Sequence, residues 1–139
     1  MTKKEYLLQY RDAQKEVDRL IGERDYWISK ATKVTASYSG MPNSKNGSSG
    51  DKIQLSVEKI SEIEEQLNCR IAELIGLRQK IETVIRTIGD MRMETVLRYR
   101  YIDGLSFEQI ALKMMYSYDH IIRLHGWALK RCRVMTEKI

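Results

Sequence analysis

The chain has 139 residues, of which 42% are hydrophobic and 31% charged, and its formal net charge is +5. This length suits one ordinary domain, or a small domain with an extension. Because the chain contains one proline and one phenylalanine, we expect an all-α fold. No apolar run approaches the length of a membrane span and the N-terminus lacks a signal-peptide core, so we expect a soluble cytoplasmic protein with no membrane partner.

The first helix is predicted from about Thr2 to about Ser37, where apolar residues recur at spacings of three and four. A period near 3.5 over this length indicates a coiled-coil helix. Arg24 falls on the apolar seam between Leu20 and Trp27. We interpret Arg24 as a side chain whose stem covers the seam while its head reaches water. The alternative is a register-setting group paired with a carboxylate on the facing helix.

Residues 38–51, YSGMPNSKNGSSGD, have the composition of a loop that reverses the chain. The loop is either a flexible tip or a contact formed by its apolar Tyr38–Pro42 portion. From Lys52 to Ile88 the helical period resumes. At about 1.5 Å per residue, each of the two helices would be roughly 50–55 Å long. The matched lengths predict a long antiparallel coiled-coil hairpin over residues 1–89, through which the chain could form a homodimer.

A short helix is predicted next, from Met91 to Asp103. Asp90 can cap its start, and Gly104 would close its C-terminal end. With the two helices that follow, it would form a small three-helix unit whose core is thin. We expect Ile85 and Ile88, from the end of the hairpin, to contribute to that core.

The last two helices are predicted to form a helix-turn-helix within a domain that spans residues 90–139. Ser106 and Gln109 make a capping box for the first helix, and Ser117 is a suitable N-cap for the second. Two short helices joined by a tight turn are the arrangement that places the second helix in a DNA major groove. The predicted buried stripe comprises Phe107, Ile110, Ala111, Met114, Ile121, Leu124, Ala128, Leu129 and Cys132.

The excess positive charge is concentrated at the end of the chain. Residues 120–139 contain five basic residues and one glutamate. Cations suit any helix C-terminus, but on the second helix of a helix-turn-helix they indicate phosphate binding. The predicted outward face of this helix comprises Tyr118, Asp119, Ile122, Arg123, Gly126, Trp127, Lys130 and Arg133.

The segment METVLRYRYIDGLSFEQIALKM, followed by YSYDHIIRLHGWALKR, resembles the fourth conserved region of bacterial sigma factors. The whole chain resembles small phage proteins of Gram-positive bacteria, which begin with a helix like EYLLQYRDAQKEVDRL and carry a Tyr-Ser-Gly-Met-Pro loop, here Tyr38–Pro42. Related phage groups, the RinA and ArpU types, are late-gene transcription regulators. The resemblance implies a sigma-like helix-turn-helix that acts on promoter DNA in a bacterial host cell.

The resemblance also implies which residues face the bases. Asp119, Ile122 and Arg123 match the sigma-family positions that read the major groove, and Arg123 could bind a guanine through two hydrogen bonds. Tyr118 and Ile122 stand where the family often has basic residues, so its base preference does not transfer. His120 is a further candidate DNA contact.

A glycine stands in the middle of the second helix at a cost of about 0.8–1 kcal/mol relative to alanine. The missing side chain of Gly126 would let the helix backbone approach DNA, with Trp127 along a sugar-phosphate strand. Alternatively, Gly126 tolerates a bulky neighbour or marks a bend. Four cationic side chains are predicted to contact DNA phosphates: Lys113, Lys130, Arg131 and Arg133.

No motif indicates catalysis. His120 and His125 are five residues apart and project from different sides of a helix, unlike a metal-binding pair four apart. Cys69 and Cys132 have neither metal-ligand nor redox spacing and are interpreted as reduced thiols. Because the chain has no phosphate-binding loop after a strand and no nucleophile–base pair, we expect a non-enzyme without cofactor or metal.

We therefore predict a sequence-specific transcription regulator that binds double-stranded DNA, with a helical arm that dimerises or contacts bacterial RNA polymerase. A second hypothesis is a DNA-recognition protein for phage genome packaging, because small terminase subunits also join a helix-turn-helix to helical oligomerisation elements. A large ring would favour packaging, and a monomer or dimer would favour regulation. A third is an adaptor that binds RNA polymerase without touching DNA, whose basic face would tolerate loss of charge.

Overall fold

A computed structural model describes residues 1–40 and 48–134, with side chains described for 1–33 and 50–134. Within these ranges the chain is helical and has no strand, which confirms the all-α class. No helix in this part of the chain is both long enough and apolar enough to cross a lipid bilayer. The helices are α1 (Lys3–Gly40), α2 (Ser48–Arg86), α3 (Met91–Leu97), α4 (Phe107–Met114) and α5 (Tyr118–Arg131), and a π-helical segment, Arg98–Ile102, continues α3.

The predicted range of the loop, residues 38–51, extends too far at both ends. Helix α1 continues through Gly40, and α2 already begins at Ser48. Serine and aspartate favour loops, but they also favour the first turn of a helix, where Ser48 and Asp51 stand. The Tyr38–Pro42 contact cannot be placed, because residues 41–47 and the neighbouring side chains lie outside the described residues.

The chain divides into two compact units. The first combines residues 1–14 with 73–139, and the second comprises residues 15–72. The first unit therefore contains the start of α1, the end of α2 and all of the short helices. The domain boundary expected between residues 89 and 90 remains a prediction. The compact units are divided elsewhere, within the long helices α1 and α2.

The core of the first unit draws on every helix. Leu7 and Tyr10 of α1 are buried together with Ile81, Ile85 and Ile88 of α2 and side chains from the short helices. The expected contribution of Ile85 and Ile88 is thereby confirmed. The buried apolar side chains from the short helices and the segments beside them are Met93, Val96, Leu97, Tyr101, Ile102, Ile110, Ala111, Ile121, Leu124, Ala128, Cys132 and Val134.

The second unit buries side chains from both long helices. Val17 and Leu20 of α1 and Ile63 and Leu67 of α2 are each less than 5% exposed. A helix alone cannot enclose its own apolar stripe, so this burial requires the α1 and α2 segments of the unit to pack on each other. These residues fall on the helical periods expected from the sequence.

Arg24 lies in the second unit and is about one-third exposed. Its guanidinium forms an ion pair of 3.7 Å with Asp25, a neighbour on its own helix. The Nε atom is buried and has no hydrogen-bond partner among the described residues. The partial exposure agrees with a stem that covers the seam, and the ion pair shown does not cross to the facing helix.

Candidate nucleic-acid interface

The starts of α4 and α5 are both fixed by serine caps. The backbone N–H of Gln109 donates to Ser106 Oγ at 3.1 Å, and the Ser106 N–H donates to Gln109 Oε1 at 2.8 Å. The N–H of His120 donates to Ser117 Oγ at 3.2 Å. The capping box and the second N-cap predicted from the sequence are therefore both present.

The turn between α4 and α5 contains a residue in the left-handed region. Met115 has φ 60° and ψ 40°, and the N–H of Tyr116 returns to the carbonyl of Ala111 at 3.0 Å. This conformation costs a residue other than glycine about 1–2 kcal/mol. The Met115 side chain is 89% exposed, and that of Leu112, one turn earlier, is 81% exposed. Two apolar side chains therefore lie in solvent, one on α4 and one in the turn that follows it.

The start of α3 and the chain just after its π-helical continuation are each held by specific contacts. Asp90 accepts a hydrogen bond from Met93 N at 3.1 Å, so the predicted cap is present. The π-helical segment ends at Ile102, and Gly104, two residues later, has φ +72°. Arg11 of α1 donates from Nη1 to the Ile102 carbonyl at 3.5 Å, and its guanidinium lies where a Cβ on Gly104 would be. Glycine is therefore favoured at this position for two reasons, the backbone angle and the close side chain.

Some positions of the predicted buried stripe are less buried than expected. The half-buried members are Phe107, Met114 and Leu129. Arg100 is also half-buried, and its Nη1 donates to the Leu105 carbonyl at 3.1 Å while its guanidinium lies 4.2 Å from the centroid of the Phe107 ring. The arginine stem contributes to the unit while its charge is satisfied by a carbonyl and an aromatic face.

Helix α5 buries a histidine that the sequence analysis did not place in the core. His125 is 8% exposed, and its Nε2 lies 2.7 Å from the hydroxyl of Tyr101, which is fully buried. The edge of the Phe107 ring packs on the imidazole with centroids 4.9 Å apart. His125 follows Ile121 by four positions and precedes Ala128 by three, so helical spacing alone would have located it on the buried stripe.

Burial changes the proton affinity of both partners in this pair. Desolvation lowers the pKa of His125 to about 4, and the charges of Lys4 and Arg100 act in the same direction. Desolvation also raises the pKa of Tyr101 to about 12. At neutral pH both groups are therefore uncharged, and the hydrogen bond joins a neutral phenol to a neutral imidazole.

The outward face of α5 matches the predicted one. Tyr118 is 46% exposed, Ile122 38% and Trp127 47%. Arg123 is exposed, and its Nε donates to the carbonyl of Asp119 at 3.4 Å, which holds the stem along the helix. The other predicted DNA contacts on or just after α5 are exposed at Asp119, Lys130, Arg131 and Arg133 and half-buried at His120.

Two of the predicted phosphate contacts are directed toward other helices. Lys113 of α4 is exposed, and its ammonium lies 5.0 Å from the centroid of the Tyr99 ring. Arg131 places Nη1 4.0 Å from the sulfur of Met93 on α3. Of the ten residues predicted to contact DNA, eight lie on α5. The other two, Lys113 and Arg133, lie outside its bounds.

Gly126 has open space on its protein side. Apart from its two chain neighbours and the backbone of its own helix, no described atom lies within 4 Å of the position a Cβ would occupy. No side chain from elsewhere in the described residues therefore crowds this position, and the bulky-neighbour explanation stays a prediction about the adjacent Trp127. Helix α5 continues through Gly126, from Tyr118 to Arg131.

Comparisons of the chain with protein-family models, with curated proteins and with solved structures found no significant match. In the described ranges, no group of three or more His, Cys, Asp or Glu side chains is placed to hold a metal ion.

Proposed function

We propose that the chain is a sequence-specific DNA-binding transcription regulator of phage type, in which α5 enters the major groove of double-stranded DNA. The observation that carries this proposal is the two-sided character of α5. One side is held by the core through Ile121 and Leu124, and the other exposes Arg123, Lys130 and Trp127. The 14 residues of α5 span about 21 Å, which suits a groove about 12 Å wide.

The proposed contacts divide by position along α5. Asp119, Ile122 and Arg123, in the first half of the helix, are assigned to the base edges because recognition helices read bases near their N-terminus. The lysine and arginine residues toward the C-terminal end are assigned to phosphates. Sequence preference and general affinity should therefore respond to different substitutions.

We also propose that α1 and α2 pair as an antiparallel coiled-coil hairpin that dimerises or contacts RNA polymerase. In the second unit, the pKa of Glu16 is lowered first by Arg19 and further by the charge of Arg70 on α2. In the first unit, the pKa of Arg78 on α2 is raised chiefly by Tyr10 of α1. In each unit a side chain of α1 thus interacts with one of α2, which supports pairing of the two helices.

Arg123→Ala is expected to relax sequence preference. A bidentate arginine–guanine pair contributes about 1–3 kcal/mol of discrimination, or roughly 5- to 150-fold. The measurement is selection of bound duplexes from a random pool, followed by affinities for the selected site and for scrambled DNA. Arg92→Ala, an exposed arginine of α3, removes the same side chain and charge outside the helix-turn-helix. Equal loss of affinity for selected and scrambled DNA would contradict the base-reading assignment of Arg123.

Gly126→Ala is expected to raise stability by up to about 1 kcal/mol, since alanine has less backbone freedom to lose and meets open space. If the glycine allows the helix backbone to lie close to DNA, the same variant will bind DNA less tightly. The measurements are urea unfolding and affinity for the selected duplex. A variant that gains stability and keeps its affinity would show that Gly126 is only a tolerated defect.

A second candidate function is favoured by the two apolar side chains beside the turn, Leu112 and Met115. Such exposed apolar groups are typical of contacts with other proteins, so the unit could act as a protein-binding adaptor of RNA polymerase. In that case the affinity for DNA would be weak and insensitive to both Arg123→Ala and Lys130→Gln. The Arg123 experiment therefore separates the two candidates.

A further inference from the structure

The beginning of α1 is joined to the end of α5 in the first unit. Lys3 donates from its ammonium to the backbone carbonyl of Lys130 at 3.2 Å. The start of α1 is itself fixed by a reciprocal pair. The Thr2 N–H donates to Glu5 Oε2 at 3.0 Å, and the Glu5 N–H donates to Thr2 Oγ1 at 3.1 Å. The first turn of α1 is thus fixed by the hydrogen bonds between Thr2 and Glu5 and by the contact of Lys3 with α5.

Lys4 lies on this fixed turn and is exposed. Lys4 directly follows Lys3, whose contact with the Lys130 carbonyl places this turn next to the C-terminal end of α5. Burial lowers the pKa of His125 on α5, and the charge of Lys4 acts in the same direction. The first turn of α1 and the end of α5 therefore form one corner of the first unit, which carries Lys3, Lys4 and Lys130. Lys3 faces the carbonyl end of α5, where a cation is favourable, and the nearby carboxylate of Glu5 is engaged in the cap.

The proposed orientation of α5 brings this corner to the DNA backbone. A helix about 21 Å long in a groove about 12 Å wide extends past the groove edges, so the residues at its C-terminal end meet a phosphate strand. A lysine that adjoins this end can reach the same strand. Three like charges at one corner repel each other, and a phosphate would offset that repulsion.

We propose that the first turn of α1 is part of the DNA interface, with Lys4 binding a backbone phosphate next to the strand contacted by Lys130. This proposal rests on the proposed function, because it names a further part of the same interface. It assigns to the N-terminal segment a direct role in DNA affinity and none in sequence preference, since phosphate contacts carry no base information.

The placement of Lys4 can be checked without DNA. Lys4→Gln removes a positive charge that disfavours protonation of His125, so the pKa of His125 should rise in the variant. The measurement is an NMR titration of the histidine ring protons in the full chain. Lys15→Gln is the matched control, because Lys15 is an exposed lysine on the same side of α1, about 16 Å further along the helix. An unchanged pKa in the Lys4 variant would overturn the placement.

The DNA contact is tested by the salt dependence of binding to a random-sequence duplex. Each phosphate neutralised by the protein adds about 0.9 to the slope of log affinity against log salt concentration. Lys4→Gln should therefore lower the slope by about 0.9 and weaken binding about threefold to tenfold at low salt, whereas Lys15→Gln should leave both unchanged. Lys4→Arg keeps the charge and should restore the slope, which excludes a loss of folding as the cause.

The outcomes separate this inference from the proposed function. If Lys130→Gln lowers the slope while Lys4→Gln behaves like Lys15→Gln, α5 binds DNA and the proposed role of Lys4 is wrong. If the unsubstituted chain does not bind duplex DNA, both proposals are overturned. Sequence preference measured by selection should be the same for Lys4→Gln and the unsubstituted chain. A changed preference would contradict a phosphate contact.

Discussion

Gly104→Ala is expected to lower the free energy of unfolding by about 2–3 kcal/mol. Gly104 has φ +72°, and alanine pays about 1–2 kcal/mol in the left-handed region. The new methyl would also occupy the position of the Arg11 guanidinium. Because that group is the end of a flexible side chain, it can move aside, but it then loses its hydrogen bond to the Ile102 carbonyl, which contributes about 1 kcal/mol.

Urea unfolding followed by circular dichroism measures this effect, and the chain offers a matched control. Gly126→Ala makes the same chemical change in open space and at a helical φ, so it should shift stability in the opposite direction. Arg11→Ala tests the second contribution. In that background Gly104→Ala should cost only the backbone part, about 1–2 kcal/mol. If the two glycine variants changed stability equally, the argument for Gly104 would be wrong.

Acidification from pH 6.5 to pH 4 is expected to remove about 3 kcal/mol of stability through one residue, His125. Its pKa is about 4 in the folded chain against 6.5 for an unperturbed histidine, and each unit corresponds to about 1.4 kcal/mol. Because the folded pKa is depressed, the unfolded chain binds the proton first. The contribution is therefore complete above pH 6.5, and it is lost as pH falls towards the folded value.

The measurement is urea unfolding at a series of pH values, together with an NMR titration of both histidines. His125→Gln removes the titrating group and should flatten this part of the pH profile, although it also lowers stability at neutral pH by disturbing the contact with Tyr101. His120→Gln is the matched control and should leave the His125 contribution in place. A His125 pKa close to 6.5 in the native chain would contradict the prediction, whatever the stability of the variants.

The N-terminal ends of α3, α4 and α5 could be predicted from the sequence because each N-cap is formed by residues a few positions apart. Asp90, Ser106 and Ser117 all accept the backbone N–H three residues later. The periodic apolar residues likewise predicted which side of α5 is buried. These features are local, so the amino-acid types at fixed spacings contain enough information to locate them.

Two kinds of feature could not be predicted: a local one without a distinct sequence pattern, and contacts between residues far apart in the chain. The π-helical continuation of α3, where Asp103 N donates to the Arg98 carbonyl five residues earlier, has no distinct local pattern and was expected as ordinary helix. The pairing of Tyr101 with His125 spans 24 residues, and the contact of Lys3 with the Lys130 carbonyl spans 127. Packing of separate segments determines such contacts, and no spacing rule anticipates them.

The left-handed turn was predicted only approximately, for a different reason. The break between α4 and α5 was expected at Tyr116 and Ser117, while the residue in the left-handed region is Met115. Glycine or asparagine ordinarily marks such a position. Methionine is not a turn residue, so only the capping signal of Ser117 indicated that the first helix had ended.

The composition of the first compact unit has a consequence for the order of folding. Its core needs Leu7 and Tyr10, which leave the ribosome more than 100 residues before Ile121 and Leu124. Until then the two early side chains have no complete core to enter, and contacts this far apart in sequence form slowly because loop closure costs entropy. Prior folding of residues 15–72 would reduce that cost, since the pairing near Glu16 and Arg70 brings the flanking segments together. A fragment that begins at residue 90 would lack part of its own core, and its failure to bind DNA would reveal nothing about α5.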